Sequence, residues 1–176
     1  ESAWPTQVTK TGEEEIKIHF EKGAITWVNN QHFTHPSHAI QYIQSLAAPY
    51  GIGRDIHVGD TIIGIKGRVG FEAAAPMVII KAHHALEKHV LTKWQLNWKD
   101  QLAQFDGNWL HEGQMMDPVM RNIEAFLEDT QAQVTGSVYV QLLPYRFQII
   151  GIESAYDLMS SKFGKYGEMN NGWTGN

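Results

Sequence analysis

The chain reads as an α+β fold: an antiparallel or mixed sheet built from two hairpins and a central strand, covered by about four helices. Three observations predict it. Period-2 alternation marks one hairpin near the start, between Ile16 and Val28, and another near the end, between Val134 and Ile152. Apolar residues at helical spacing fill most of the region between them, in segments opened by capping or proline signals. The resulting order, β-β-α-β-α-α-α-β-β, lacks the regular strand–helix alternation of a doubly wound α/β chain.

Taken in order, Glu1 to Gly12 is polar, contains Trp4-Pro5, and reads as a linker from a preceding domain. Ile16, Ile18 and Phe20 alternate with Lys17 and His19, and after the Lys22-Gly23 turn Ile25, Trp27 and Val28 return as the second strand. Thr34-His35-Pro36 opens a helix with proline at its first position, carrying Ile40, Ile43, Leu46 and Ala47. Pro49 and Gly51 stop it. Ile56, Val58, Ile62, Ile63 and Ile65 read as one extended segment interrupted at Gly59-Asp60. A second helix is predicted from Pro76 to about Val90, apolar nearly all round at its start and therefore buried there. Thr92 caps a third, with Trp94, Leu96, Trp98, Leu102 and Phe105 inside it and Gly107-Asn108 ending it. Asp117-Pro118 caps and opens a fourth. Val138, Val140 and Leu142 share a strand face, Pro144-Tyr145 turns the chain, and Phe147, Ile149 and Ile152 return. Ser154 caps a short turn at Tyr156 to Met159. The body is thus bounded at residues 13–163, and residues 164–176, rich in Gly and Asn, read as a poorly ordered tail.

Composition excludes several classes. A length of 176 residues fits one domain, and 43% apolar residues supply a core. The charge balance of 14 Lys and Arg against 19 Asp and Glu, net −5, argues against a general nucleic-acid binder. No run of about 18 apolar residues suggests a membrane span, and no leader is visible, which favours a cytoplasmic protein. With no Cys, disulfide and thiolate chemistry are excluded. Trp94, Trp98 and Trp109 read as packing or subunit contacts.

The chemistry-bearing residues concentrate between Gly51 and His89. Gly64-Ile65-Lys66-Gly67-Arg68-Val69-Gly70 is glycine-rich and basic, suited to turning backbone N–H groups toward an anion, yet it fits neither a Walker A loop nor a dinucleotide fingerprint. Gly64 to Gly67 also resembles the GxxG loop of KH RNA-binding domains, which keeps a non-catalytic binding or oligomerisation module as the alternative reading. Nine His invite a metal reading, but His32, His35 and His38 are divided by Pro36, and His83, His84 and His89 do not share a helix face, so no metal site is expected. His111-Glu112 and Asp117 read as solvated turn residues, and no serine nucleophile motif occurs; Ser160-Ser161-Lys162 lacks the required spacing. No catalytic residue is assigned.

An ordered set of short matches then resembles a known family. Gly51-Ile52-Gly53-Arg54, Ile63-Gly64-Ile65-Lys66-Gly67-Arg68 and Phe71-Glu72-Ala73 are similar to the pattern H-G-[VIL]-G-R … I-G-[MI]-K-[SG]-R-G-[IV]-[YF]-E-[TA]-P of argininosuccinate synthase. Trp4-Pro5 with Glu15 to Gly23, Val134 to Val138 and Ile150 to Ser154 resemble its flanking segments. The resemblance implies the C-terminal synthetase and multimerisation part of a ligase that joins citrulline to aspartate, adenylating citrulline with ATP. ATP with Mg2+ is then held mainly by a preceding domain with an S-G-G-x-D-[ST]-S loop, which does not occur here, so this fragment alone is expected to be inactive and without a cofactor. The implied partners are citrulline, aspartate and ATP in the complete enzyme, with a homotetrameric assembly and neither nucleic acid nor membrane. Family citrulline ligands, a Glu and a Tyr, align with Gly59 and Phe71; Asp60 supplies the carboxylate if a bulge at Gly59 turns it inward. Asp60 and Phe71 are therefore the expected citrulline contacts, supported by Arg54, Lys66, Arg68 and Glu72.

Overall fold

The first strand, β1 (Glu14–Glu21), lies at the centre of the main sheet. The structure, a computed structural model, describes Trp4 and residues 6–60 and 63–160. Strands β2 (Ala24–Val28), β3 (Gln31–His32), β6 (Gly136–Leu143) and β7 (Arg146–Glu153) complete a five-stranded antiparallel sheet in the order β3-β2-β1-β6-β7. Alternation aims Ile16, Ile18 and Phe20 at one face, together with Val138, Val140 and Leu142, and all six are fully buried. Two helices, α1 (Pro36–Ala47) and α2 (Ala74–Val90), pack on each other and on that face. Ile43, Ala47, Val78, Ala82 and Leu86 fill the space between helices and sheet. The α+β class is thus observed.

Two bulges decide which apolar residues point inward. The register shifts between His19 and Phe20, so that β2 buries Ile25 and Val28 and leaves the Trp27 ring outside. Strict alternation had placed Trp27 with Ile25. A second shift beside Tyr139 and Val140 changes the parity of β7, which is why Phe147, Ile149 and Ile152 all pack on the core while Ile150 is exposed.

The helix caps act as their chemistry predicts. Thr92 and Gln95 form a capping box that opens α3 (Lys93–His111), and Asp117 accepts a 2.9 Å bond from the Val119 N–H to open α4 (Pro118–Thr130). Ser154 Oγ accepts from Tyr156 N–H, 3.1 Å away, ahead of a short 3-10 turn at Leu158–Ser160. Helix α3 does not stop at Gly107-Asn108 but runs on to His111; a single exposed glycine costs about 1 kcal/mol, too little to end a nineteen-residue helix.

The larger departure is the segment read as one central strand. It is a hairpin of its own: β4 (Arg54–Asp60) and β5 (Lys66–Glu72) pair antiparallel as a separate two-stranded sheet. Ile56, Val58, Ile63, Ile65 and Val69 are all more than half exposed on this ribbon. They looked like core because β-branched runs favour a strand whether or not anything covers it. Helices α3 and α4 pack chiefly on each other and form a second projection, with Trp94, Trp98 and Phe105 outside.

Candidate functional site

The base of the β4–β5 ribbon is built tightly. Gly53 adopts φ +78°, and a Cβ there would lie 2.5 Å from the Ala73 carbonyl carbon. The Gly53 carbonyl accepts from the Ala73 N–H at 2.9 Å, which holds the entry and exit of the ribbon together. Arg54 then meets Glu72, Nε to Oε1 2.8 Å, with both side chains about nine-tenths buried. Thr6 N–H donates to Glu72 Oε2 at 3.1 Å, an Arg54 guanidinium N–H donates to the Thr6 carbonyl, and the Trp4 ring lies 5.8 Å from the guanidinium. Burial pushes the Glu72 carboxyl up, but the bonds from Thr6 and Arg54 and the Arg54 charge together hold it below the usual carboxylate range. Arg54 and Glu72 therefore clamp the ribbon to the N-terminal segment.

Strand parity sorts the remaining residues. The ladder runs without a shift from Arg54–Glu72 through Asp55–Phe71 to Asp60–Lys66. Arg54, Asp60, Lys66, Arg68 and Glu72 fall on one face, and Asp55, His57, Gly59 and Phe71 on the other. No bulge at Gly59 turns Asp60 toward Phe71. Asp60 is exposed and pairs with Lys66 Nζ at 2.5 Å, five ladder steps from Phe71, or about 17 Å along the strand. The structure thus brings together Arg54 with Glu72 and Asp60 with Lys66, and it separates Asp60 from Phe71. Arg68 is exposed between the two pairs.

The face that carries Phe71 holds residues the sequence reading passed over. The His57 imidazole lies over Gly59: a Cβ at position 59 would sit 2.5 Å from its Nε2. At the ribbon base a cavity of about 260 Å³ opens between Phe71, Asp55, Met77, Phe147 and Arg146. Asp55 Oδ1 accepts from the Ile56 N–H at 2.7 Å, whereas Arg146 has no ion-pair partner among the described residues. Beside Arg146, Tyr145 holds φ +62° at the second position of the Pro144-Tyr145 turn, and its N–H reaches the Tyr50 carbonyl at 2.8 Å. The parity of β4 was available as a signal for Asp55 and His57. Arg146 lies 75 positions from Phe71, and only the fold brings it near.

The strongest charge cluster lies elsewhere. Glu87 on α2 is 1% exposed and accepts from Lys99 Nζ on α3 at 2.6 Å and from Gln131 Nε2 at 2.9 Å. Lys99 Nζ also lies 3.0 Å from His84 Nε2 and 3.2 Å from Asp100. Burial pushes the Asp100 carboxyl up, and the Lys99 and His84 contacts more than reverse it, leaving it low. His83, 3.6 Å from Glu87, is held below the usual imidazole range by burial, against the pull of the Glu87 charge. The cluster joins α3 to the body, leaves Gln131 Oε1 buried without a partner, and borders a cavity of about 420 Å³ lined also by Phe20, Ile25, Pro36 and Ile80.

Among the described residues no three His, Cys, Asp or Glu side chains converge to hold a metal ion. His32 packs edge-on against Trp27, and His35 against His38. Gly64 to Gly67 lies at the tip of the ribbon and leads into β5, where a KH loop would lead into a helix. Residues 161–176, with Ser161-Lys162 and the expected tail, lie outside the described residues. No helix is long and apolar enough to cross a membrane among those described.

Comparison with known proteins fits this arrangement. A family model described as the arginosuccinate synthase C-terminal domain matches residues 3–172. Argininosuccinate synthase of Dictyoglomus thermophilum is 36% identical over 151 residues, covering 86% of this chain and 38% of that protein. That of Xylella fastidiosa is 34% identical over 159 residues, 90% of this chain and 38% of the relative. That of Methanocaldococcus jannaschii is 32% identical over 167 residues, 94% and 42% respectively. The chain spans about two fifths of the length of these relatives. With the matched model covering nearly its whole length, the chain belongs to the argininosuccinate synthase C-terminal domain family.

Proposed function

We propose that this chain is the C-terminal part of an ATP-dependent carbon–nitrogen ligase that joins citrulline to aspartate in arginine biosynthesis. The match of the C-terminal domain over residues 3–172 carries the reading. In it, ATP with Mg2+ is held mainly by a preceding domain of the complete enzyme, and this chain alone does not turn over. Beyond its clamped base the β4–β5 ribbon exposes Ile56, Val58, Ile65 and Val69, which suits a wall that completes a cleft in another domain. Phe71 presents its ring to citrulline from one face. Arg54 and Glu72 act as positioning residues, because their ion pair fixes the angle at which the ribbon leaves the body. Lys66 and Arg68 present charge from the opposite face, with Asp60 paired to Lys66, so Asp60 contacts citrulline only if the ribbon tip twists.

The α3–α4 projection supports the assembly half of the proposal. Trp94, Trp98, Phe105 and Leu110 are each more than half exposed on one helix, an apolar display larger than isolated surface residues explain. We assign it to subunit contact in a homotetramer working in the cytoplasm. The test is made on the full-length protein. Sustained release of AMP should require citrulline and aspartate together with ATP, whereas citrulline and ATP alone give at most one equivalent of pyrophosphate per site; sustained turnover without either amino acid, or none with both, overturns the reading.

A further inference from the structure

One ladder row crosses the face of the main sheet turned away from α1 and α2. Register sets His32 opposite Trp27, Trp27 opposite His19, His19 opposite Ser137, and Ser137 opposite Glu153. Side chains alternate along a strand, so His19 points away from the core that Ile18 and Phe20 enter. His19 Nδ1 lies 2.9 Å from Ser137 Oγ. The other ring nitrogen, Nε2, lies 3.9 Å from Glu21 Oε1. A carboxylate on that side favours the proton on Nε2 and leaves Nδ1 to accept from the Ser137 hydroxyl. Cross-strand register alone would bring two side chains this close. What distinguishes the pair is the order of its parts: a hydroxyl, a base within hydrogen-bond reach, and a carboxylate behind the base.

A cavity of about 340 Å³ opens over this pair, lined also by Lys17, Trp27, Asn29 and Asn30. Trp27 gives it an apolar wall, backed edge-on by His32. Asn29 is held in place: its Oδ1 accepts from the Lys17 N–H at 2.9 Å. Asn29 and Asn30 carry side-chain N–H donors, the group type that steadies a developing oxyanion. Lys17 Nζ is turned to Glu153, 3.8 Å away, and to the Tyr139 ring. We infer that this is a second chemical site, in which Ser137 is an acyl-accepting nucleophile and His19 its general base, acting on small activated carboxylic esters. The Oγ–H proton passes to His19 Nδ1 as Oγ bonds to the ester carbonyl carbon. The bond from that carbon to the leaving alcohol or phenol oxygen breaks, and Nδ1 gives the proton to the departing oxygen. Water then attacks the acyl group, passing its proton through Nδ1 back to Ser137 Oγ, and the carboxylic acid leaves. The site lies on the main sheet, apart from the β4–β5 ribbon, and does not depend on the ligase reading.

Hydrolysis of 4-nitrophenyl acetate by the full-length protein tests it. Wild type should release 4-nitrophenol roughly 100-fold faster than buffer alone. Peptide mass spectrometry after an acid quench should find the acetyl group on Ser137. Ser137→Ala should lose both the rate and the label. His19→Gln, which keeps a polar side chain without a base, should lower the rate about 100-fold. Glu21→Gln should lower it only about fivefold, the effect of one charge 3.9 Å away across solvent. Circular dichroism and melting temperature check the fold of each variant. Should Ser137→Ala fail to fold, the labelled residue in wild type and the rate of His19→Gln decide. A wild-type rate no faster than buffer, acetyl groups on lysines alone, or a His19→Gln rate equal to wild type overturns the inference.

Discussion

Arg54 and Glu72 close a buried ion pair, Nε to Oε1 2.8 Å, at the point where the β4–β5 ribbon joins the body. Each is the other's direct ladder partner, so the pair locks register as well as charge. Removing one partner strands the other away from water, at a cost on the order of 3 kcal/mol. Arg54→Met and Glu72→Gln should each lower the midpoint of urea unfolding accordingly. The pH dependence has a definite sign. The folded-state carboxyl of Glu72 is held low, so its contribution is present above the unfolded carboxylate value of about 4.3 and is lost as pH falls through the lower folded value. Glu72→Gln should flatten the loss of stability on acidification below about pH 5, which acid titration of unfolding will show.

Gly53→Ala should be among the most damaging conservative substitutions in the chain. The positive φ and the approach to the Ala73 carbonyl add, giving about 2–4 kcal/mol. A melting temperature unchanged by the substitution would refute the tight-base description.

Lys99→Met should destabilise more than its partly exposed helix suggests, by about 3–5 kcal/mol, because Glu87 is left buried and charged. The double variant Glu87→Leu with Lys99→Met should recover much of that loss. Hydrogen exchange gives a second readout, with amides of α3 and α4 losing protection first in the single variant.

His83 adds a second acid-sensitive element. Burial keeps its folded-state pKa below the unfolded value of about 6.5, so the native protein favours the neutral ring. Its contribution is present above about pH 6.5 and falls away as pH drops through the depressed folded value. Unfolding midpoints measured from pH 7.5 to pH 5 should decline in wild type and decline less in His83→Gln.

Trp98→Glu combined with Phe105→Glu should leave the fold intact and alter assembly. Both side chains are more than half exposed, so their loss exposes no core. Light scattering of the full-length protein should show smaller species than wild type, with the same far-ultraviolet circular dichroism.

The main sheet and the caps were legible because each carries a local signal. Ile16, Ile18 and Phe20 announce a face, and Thr92 with Gln95 announces a helix start. The ribbon was not legible as a ribbon. Ile56, Val58 and Ile65 satisfy the pattern of a covered strand, but covering depends on what packs there, and among the described residues all three are more than half exposed. Strict alternation likewise puts Trp27 on the face of Ile25, since a bulge at Thr26 leaves no mark in the sequence. Lys99 shows the limit from the other side. Helix α3 reads as a stripe of Trp, Leu and Phe, yet the residue it buries is the lysine, because its partner Glu87 waits on another helix. At the candidate site, Arg54 and Glu72 were visible through the family pattern. Asp55 and Arg146 needed the three-dimensional juxtaposition of two hairpins.

The central place of β1 also sets an order of events during synthesis. Ile18 faces Val28 on one side, ten residues on, and Val138 on the other, 120 residues on. The first ladder closes as a local hairpin, while the second waits until most of the chain has left the ribosome. In the interval β1 is an open, strongly apolar edge, the kind that recruits strands from other molecules. Mutations that slow the arrival of β6 should therefore reduce yield through aggregation of nascent chains, even where the finished fold is just as stable.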